Sequence, residues 1–185
     1  IYTFTDANGC TNSASVDVEV FDLPTVSVSG GPFCVDDAAS NLTASPGGGT
    51  FSGTGITDVS AGTFDPATAG VGTHTITYDY TDGNGCSNSA TTDVIVHALP
   101  VVSVSGGPFC VDAAASNLTA SPSGGTFSGT GITDASAGTF DPATAGVGTH
   151  TITYNYTDGN GCSNSATTDV IVHALPVVSV SGGSF

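Results

Sequence analysis

The clearest periodicity in the chain is THTITYDYT at Thr73–Thr81, which sets His74, Ile76, Tyr78 and Tyr80 on one face and Thr73, Thr75, Thr77 and Asp79 on the other. A period of two sustained over such a stretch predicts a β-strand with one buried face. ATTDVIVHA at Ala90–Ala98 reads as its partner, and the intervening DGNG supplies the turn residues that hairpins use. Shorter stretches at Thr25–Ser29, Asn41–Ser45, Gly49–Gly53 and Gly62–Phe64 predict further strands, punctuated by GGP, SPGGG, SGTG and FDPATAGVG. GTFDPATAG reads as a strand end followed by a turn that Pro66 starts. No stretch keeps a helical period long enough to predict a helix.

The pattern repeats. YTDGNGCSNSA at Tyr80–Ala90 returns letter for letter at Tyr156–Ala166 and nearly so, as FTDANGCTNSA, at Phe4–Ala14, with a period of 76 residues. Pro24–Leu99 and Pro100–Leu175 differ at five positions: 25/101, 37/113, 47/123, 59/135 and 79/155. The expected organisation is the C-terminal part of one repeat at 1–23, full repeats at 24–99 and 100–175, and the N-terminal part of another at 176–185. Short strands between Gly/Pro turns in a unit this small predict an all-β fold: a tandem array of small immunoglobulin-like antiparallel β-sandwich domains. Only Leu-Pro separates successive units, so each joint has little slack and the array is expected to be semi-stiff, adding roughly 35–45 Å per unit.

Charge narrows the function classes. Sixteen acidic residues face no Lys or Arg, a formal charge of −16. Nucleic acids and anionic membrane surfaces bind through basic side chains, so neither is an expected partner. P-loop chemistry, Schiff bases and arginine clamps are excluded on the same ground. Disorder is not expected, because 38% of the residues are hydrophobic. No apolar run approaches a membrane span, and any export signal is expected upstream of Ile1. Association with lateral copies of the same chain would use strand edges, apolar contact or bridging cations.

The cysteines admit two registers: Cys34 with Cys86 and Cys110 with Cys162 inside units, or Cys10 with Cys34 and Cys86 with Cys110 across linkers. Each leaves one thiol unpaired, so parity does not choose. Reach does. From Cys86 the chain runs some 14 residues to Pro100, roughly 45 Å when extended, and the ten residues to Cys110 return at most roughly 33 Å. The expectation is therefore one disulfide per domain, Cys34–Cys86 and Cys110–Cys162, with Cys10 pairing in the earlier part of its own unit. A loop of some 50 residues closed in this way contributes about 4 kcal/mol on the chain-entropy model. Such bonds persist in oxidising space, which predicts an extracellular or cell-surface protein.

Other candidate chemistry is sparse. Asp82 with Asn84, and Asp158 with Asn160, stand two apart as at the start of a calcium loop, but neither turn has the remaining ligands or a closing Glu. They are weak calcium candidates, and the plain hairpin turn is the favoured reading. No C-x-x-C spacing suggests zinc. His74 and His150 fall on an apolar strand face as packed histidines, whereas His97 and His173 precede the Ala-Leu-Pro junction, where contact with a neighbouring domain is expected. Asn41, Asn117 and Asn155 match the glycosylation tripeptide, a frequent chance match in a Thr-rich chain. No acid–base pair, nucleophile elbow or reactive-cysteine context appears, so no catalytic residue, no cofactor and no enzyme activity are expected.

LPVVSVSGGPFCV, NLTASPSGGTFSGTGI, GTFDPATAGVGTHTITYNYTDGNGCSNSA and VIVHALP, in that order, resemble the tandem Ig-like repeats of very large surface adhesins and filament proteins from gliding and predatory Bacteroidota. The resemblance covers the whole chain. It implies export through the outer membrane by the type IX system and service in adhesins, gliding filaments or prey-catching appendages. The expected function is a non-enzymatic structural repeat, a stiff stalk that extends reach for attachment or capture. The alternative is a multivalent module binding a glycan or a cell-surface protein through its loops.

Overall fold

A computed structural model describes residues 1–180. The chain opens with a two-stranded hairpin, β1 (Tyr2–Thr5) and β2 (Thr11–Ala14). The first full unit follows with β3 (Ser27–Ser29), β4 (Phe33–Cys34), β5 (Ser40–Asn41), β6 (Thr43–Ser45), β7 (Thr50–Ser52), β8 (Ile56–Asp58) and β9 (Thr63–Phe64). It closes with a one-turn helix α1 (Pro66–Ala69) and the long hairpin β10 (Gly72–Thr81) and β11 (Ser87–His97). The second unit repeats the series as β12 (Ser103–Ser105), β13 (Phe109–Cys110), β14 (Ser116–Asn117), β15 (Thr119–Ser121), β16 (Thr126–Ser128), β17 (Ile132–Asp134), β18 (Thr139–Phe140), α2 (Pro142–Ala145), β19 (Gly148–Thr157) and β20 (Ser163–His173). Residues 176–180 form no strand, and the rest of the head expected at 176–185 lies outside the described residues.

Each full unit is a β-sandwich. One layer is the four-stranded sheet β4-β11-β10-β7, and β3-β6 with β5-β9-β8 provides the opposing strands. The alternation in Thr73–Thr81 is realised: Ile76 and Tyr78 are buried, while Thr73, Thr75 and Asp79 face solvent. Across the hairpin, β11 contributes Val94 and Val96, and these four close over Phe51 from β7, Phe64 from β9 and Leu42. Burying an aliphatic or aromatic side chain of this kind contributes roughly 1.5–3 kcal/mol. The second unit builds its own equivalent core from Leu118, Phe127, Phe140, Ile152, Tyr154, Val170 and Val172.

Two features depart from the sequence expectation. The turn begun by Pro66 is a full helical turn, because Asp65 caps it: its carboxylate accepts from the Ala67 N–H at 3.1 Å and the Thr68 hydroxyl at 2.6 Å, and proline suits the first helical position. The sheet also contains one parallel pairing, β4 on β11, which sets Phe33 opposite Val96 and Cys34 opposite His97. That pairing places the first cysteine of the unit at the far end of the hairpin from the second.

Candidate functional site at the junction of repeats

Direction along the unit follows from its anchors. The Asn88 side chain donates to Pro24 O at 2.8 Å, so each unit begins at the hairpin-turn end. From there the chain runs forward to Cys34, beside His97 at the opposite, trailing end. The turn at the leading end is held by Asp82, whose Oδ1 accepts from the N–H groups of Asn84 and Cys86, both at 2.9 Å. The other hairpins repeat this geometry through Asp6 and Asp158.

The expected pairings inside units are not formed. Cys34 is bonded to Cys162, across 128 residues and with 5.5 Å between Cα atoms, while Cys10, Cys86 and Cys110 are free. The reason is distance. Cys86 immediately precedes β11 and Cys34 lies opposite its last residue, roughly 36 Å away at the rise of a strand, whereas a disulfide tolerates about 7 Å between Cα atoms. Cys110 and Cys162 are separated in the same way, since Cys110 lies opposite His173. The bond that forms therefore joins units: the trailing end of the first receives the turn of the second.

The groups around this bond belong to both units. Cys162 is fully buried and Cys34 is 9% exposed. The Cys34 N–H donates to Asp37 at 2.7 Å. Asp158 in the second unit's turn senses His97 of the first. Desolvation pushes its carboxyl up, but N–H groups from Cys162 and Asn160, the Asn160 side chain and the charge of His97 outweigh it, and the group sits below its ordinary 3.8. The junctional Leu99 is half-buried, whereas Leu175, at the same place in the next unit, is 50% exposed.

The remaining sequence candidates are placed as follows. His74 Nε2 bonds Gly70 O at 2.8 Å and lies against Phe64, and His150 repeats this with Gly146 and Phe140. Asn41 and Asn117 each accept from a threonine hydroxyl, Thr63 and Thr139, and Asn155 lies exposed on β19. Asp82 and Asn84 stay in the first unit's turn, while Asp158 and Asn160 are brought to the junction. Cys34, Asp36 and Asp37 place ligand-type atoms within 4.8 Å of one another, but the sulfur is committed to the disulfide and the second unit has Ala113 in place of Asp37. Among the described residues, no helix is long and apolar enough to cross a membrane.

The sequence contained a signal for this connectivity. The ten residues from Pro24 to Cys34 span roughly 33 Å when extended, enough to carry that cysteine along the whole hairpin. That reach permits the far position without requiring it; the parallel pairing of β4 with β11 is what excludes a bond inside the unit.

No family model matches the sequence, and no curated protein aligns with it significantly. Solved structures that the chain resembles include the fibronectin(III)-like modules of Clostridium thermocellum CbhA, at 17% identity and a TM-score of 0.36, covering 86% of this chain and 100% of that one. Protocadherin gammaB7 EC3-6 is similar at 13% identity and a TM-score of 0.29 over 78% of this chain. Protocadherin Gamma B2 extracellular cadherin domains 1-5 are similar at 13% identity and 0.28 over 93%. The chain spans 45% of each protocadherin chain. At these TM-scores nothing about function rests on the likeness.

Proposed function

We propose that the chain is a non-enzymatic structural segment of an extracellular filament or adhesin, a stalk whose units are locked end to end to extend reach. One observation carries this: the Cys34–Cys162 disulfide joins consecutive units rather than closing either. A bond inside a domain stabilises that domain, whereas a bond between domains removes freedom at the joint. With the Leu-Pro connection as a second strand across the same joint, bending there must strain a closed covalent loop. A structural disulfide also supports an oxidising location outside the cell.

A second observation favours the alternative, a binding module. A shallow groove lined by Asp79, Tyr80, Thr81, Ser87, Asn88 and Ser89 recurs at the same place in the second unit, and the first hairpin has its counterpart. Its hydroxyl and amide lining suits a glycan, and regular spacing would sum weak contacts into avidity.

Small-angle scattering with negative-stain electron microscopy tests the stalk. The oxidised chain should give one narrow inter-unit distance distribution, and Cys34→Ser a broader one with unchanged β content. Equal widths would sink the proposal. Loss of binding on a glycan array after Asn88→Ala with Asn164→Ala, at an unchanged distance distribution, would favour the alternative.

A further inference from the structure

We propose that Cys34–Cys162 is one rung of a directional ladder, and that Cys110, Cys86 and Cys10 are half-rungs complementary to further copies of the same unit. Shifted by the 76-residue period, Cys110 is the equivalent of Cys34, and Cys86 and Cys10 are the equivalents of Cys162. The backbone presents them identically. Cys110 O accepts from the Ala113 N–H at 3.0 Å as Cys34 O accepts from Asp37. The N–H groups of Cys10 and Cys86 reach their turn aspartates at 2.9 Å, and that of Cys162 at 3.0 Å.

What differs is cover. Cys34 and Cys162 are buried in their bond, whereas Cys10 and Cys110 are exposed and Cys86 is partly so. The trailing end of the second unit also exposes His173 and Leu175, whose equivalents His97 and Leu99 are half-buried at the formed junction. The three unpaired thiols are thus those for which the junction partner is another unit. The partner that fits the trailing end is the leading end of another unit of this repeat, which a second copy of the chain supplies.

The rule is polar. Cys110 takes a turn cysteine, Cys86 or Cys10, and never another Cys110, because like ends meet only when one unit is reversed. Closing a rung converts two thiols to one disulfide. The two electrons and two protons pass to a disulfide oxidant such as oxidised glutathione: one thiolate attacks it and releases one glutathione, and the second thiolate then displaces the other. This ladder rests on the observed junction and not on the stalk role.

The test uses the full chain at high concentration with excess oxidised glutathione, in high salt to screen the charge of −16. Products are read on non-reducing gels and by peptide mass spectrometry. Oligomers joined from Cys110 of one chain to Cys86 or Cys10 of another are expected, with Cys34–Cys162 intact. Cys110→Ser should lose them, and so should the Cys10→Ser/Cys86→Ser double variant. Retention of Cys34–Cys162 in both variants reports correct folding. Cys110–Cys110 dimers in equal amount, interchain bonds surviving Cys110→Ser, a Cys86–Cys110 bond within one chain, or no interchain bond would each overturn the ladder. Absence of Cys34–Cys162 itself would overturn the junction, and with it the proposed stalk.

Discussion

At the scale of single residues, the most committed side chain in each unit is a tyrosine. Tyr78 is 1% exposed, packs on Phe51 at 4.6 Å between ring centroids, donates to Pro46 O at 2.6 Å and accepts from the Gly49 N–H at 2.7 Å. Glycine is required opposite it, since a Cβ at Gly49 would lie 2.6 Å from Tyr78 Cζ. Tyr78→Phe keeps the ring but strands a carbonyl and an N–H, and should cost about 1–3 kcal/mol in urea unfolding. Tyr154→Phe, which removes the matching bonds to Pro122 and Gly125, should cost the same. The exposed turns make a separate prediction. Asp58 is held below its ordinary 3.8 by the Ala61 N–H first, then by the Ser60 hydroxyl and N–H, and Asp134 repeats this with Ala137 and Ser136. A carboxylate depressed in the folded state stabilises it above the unfolded pKa, and that stability is lost as pH falls through the folded value. The thermal midpoint should therefore hold at neutral pH and fall below about pH 4, less steeply in Asp58→Asn with Asp134→Asn. An unchanged acid limb would remove these turns from the account.

At the scale of elements, legibility tracked how far each signal repeats within itself. β10 and β11 were readable because alternation over many residues has few rival explanations, and their core residues Ile76, Tyr78, Val94 and Val96 followed from it. β4 and β5 have two residues each, too few for any period, and their existence depends on tertiary pairing with β11 and β9. α1 has four residues and was hidden for the same reason, although Asp65 before Pro66 is a capping signal that only a search for single turns would register. The candidate site failed differently. The cysteines are plain in the sequence but their partners are not: reach allows the strand leading to Cys34 to turn back toward Cys86, whereas it runs parallel to β11. Direction along a sheet is not written in alternation, which is blind to it. The same residues in the opposite sense would have produced two independent domains. In the observed sense, a 128-residue separation closed by the bond is worth at most about 5 kcal/mol on the chain-entropy model. On that model the bond acts by constraining the unfolded chain, and the loop it closes takes in parts of both units.

At the scale of the whole molecule, a charge of −16 with no Lys or Arg means that every long-range interaction between side chains is repulsive unless a histidine is protonated. Stacking units end to end brings turn aspartates toward the acidic trailing end of the neighbour, Asp158 toward the unit that carries Asp36 and Asp37, with His97 nearby. Repulsion between exposed charges is screened over about 10 Å at 0.1 M salt, so added sodium chloride should raise the thermal midpoint of the chain and then level off. A calcium-specific effect would have a different signature. The turn carboxylates already spend Oδ1 of Asp82 and of Asp158 on two backbone N–H groups each, which makes them turn formers first. Excess chelator in low salt should accordingly leave the midpoint unmoved, and calcium and magnesium at matched ionic strength should raise it equally. If chelator lowers the midpoint, or calcium raises it more than magnesium does, then Asp82, Asn84, Asp158 and Asn160 hold an ion. The units would then be joined by a metal-sensitive contact as well as by sulfur.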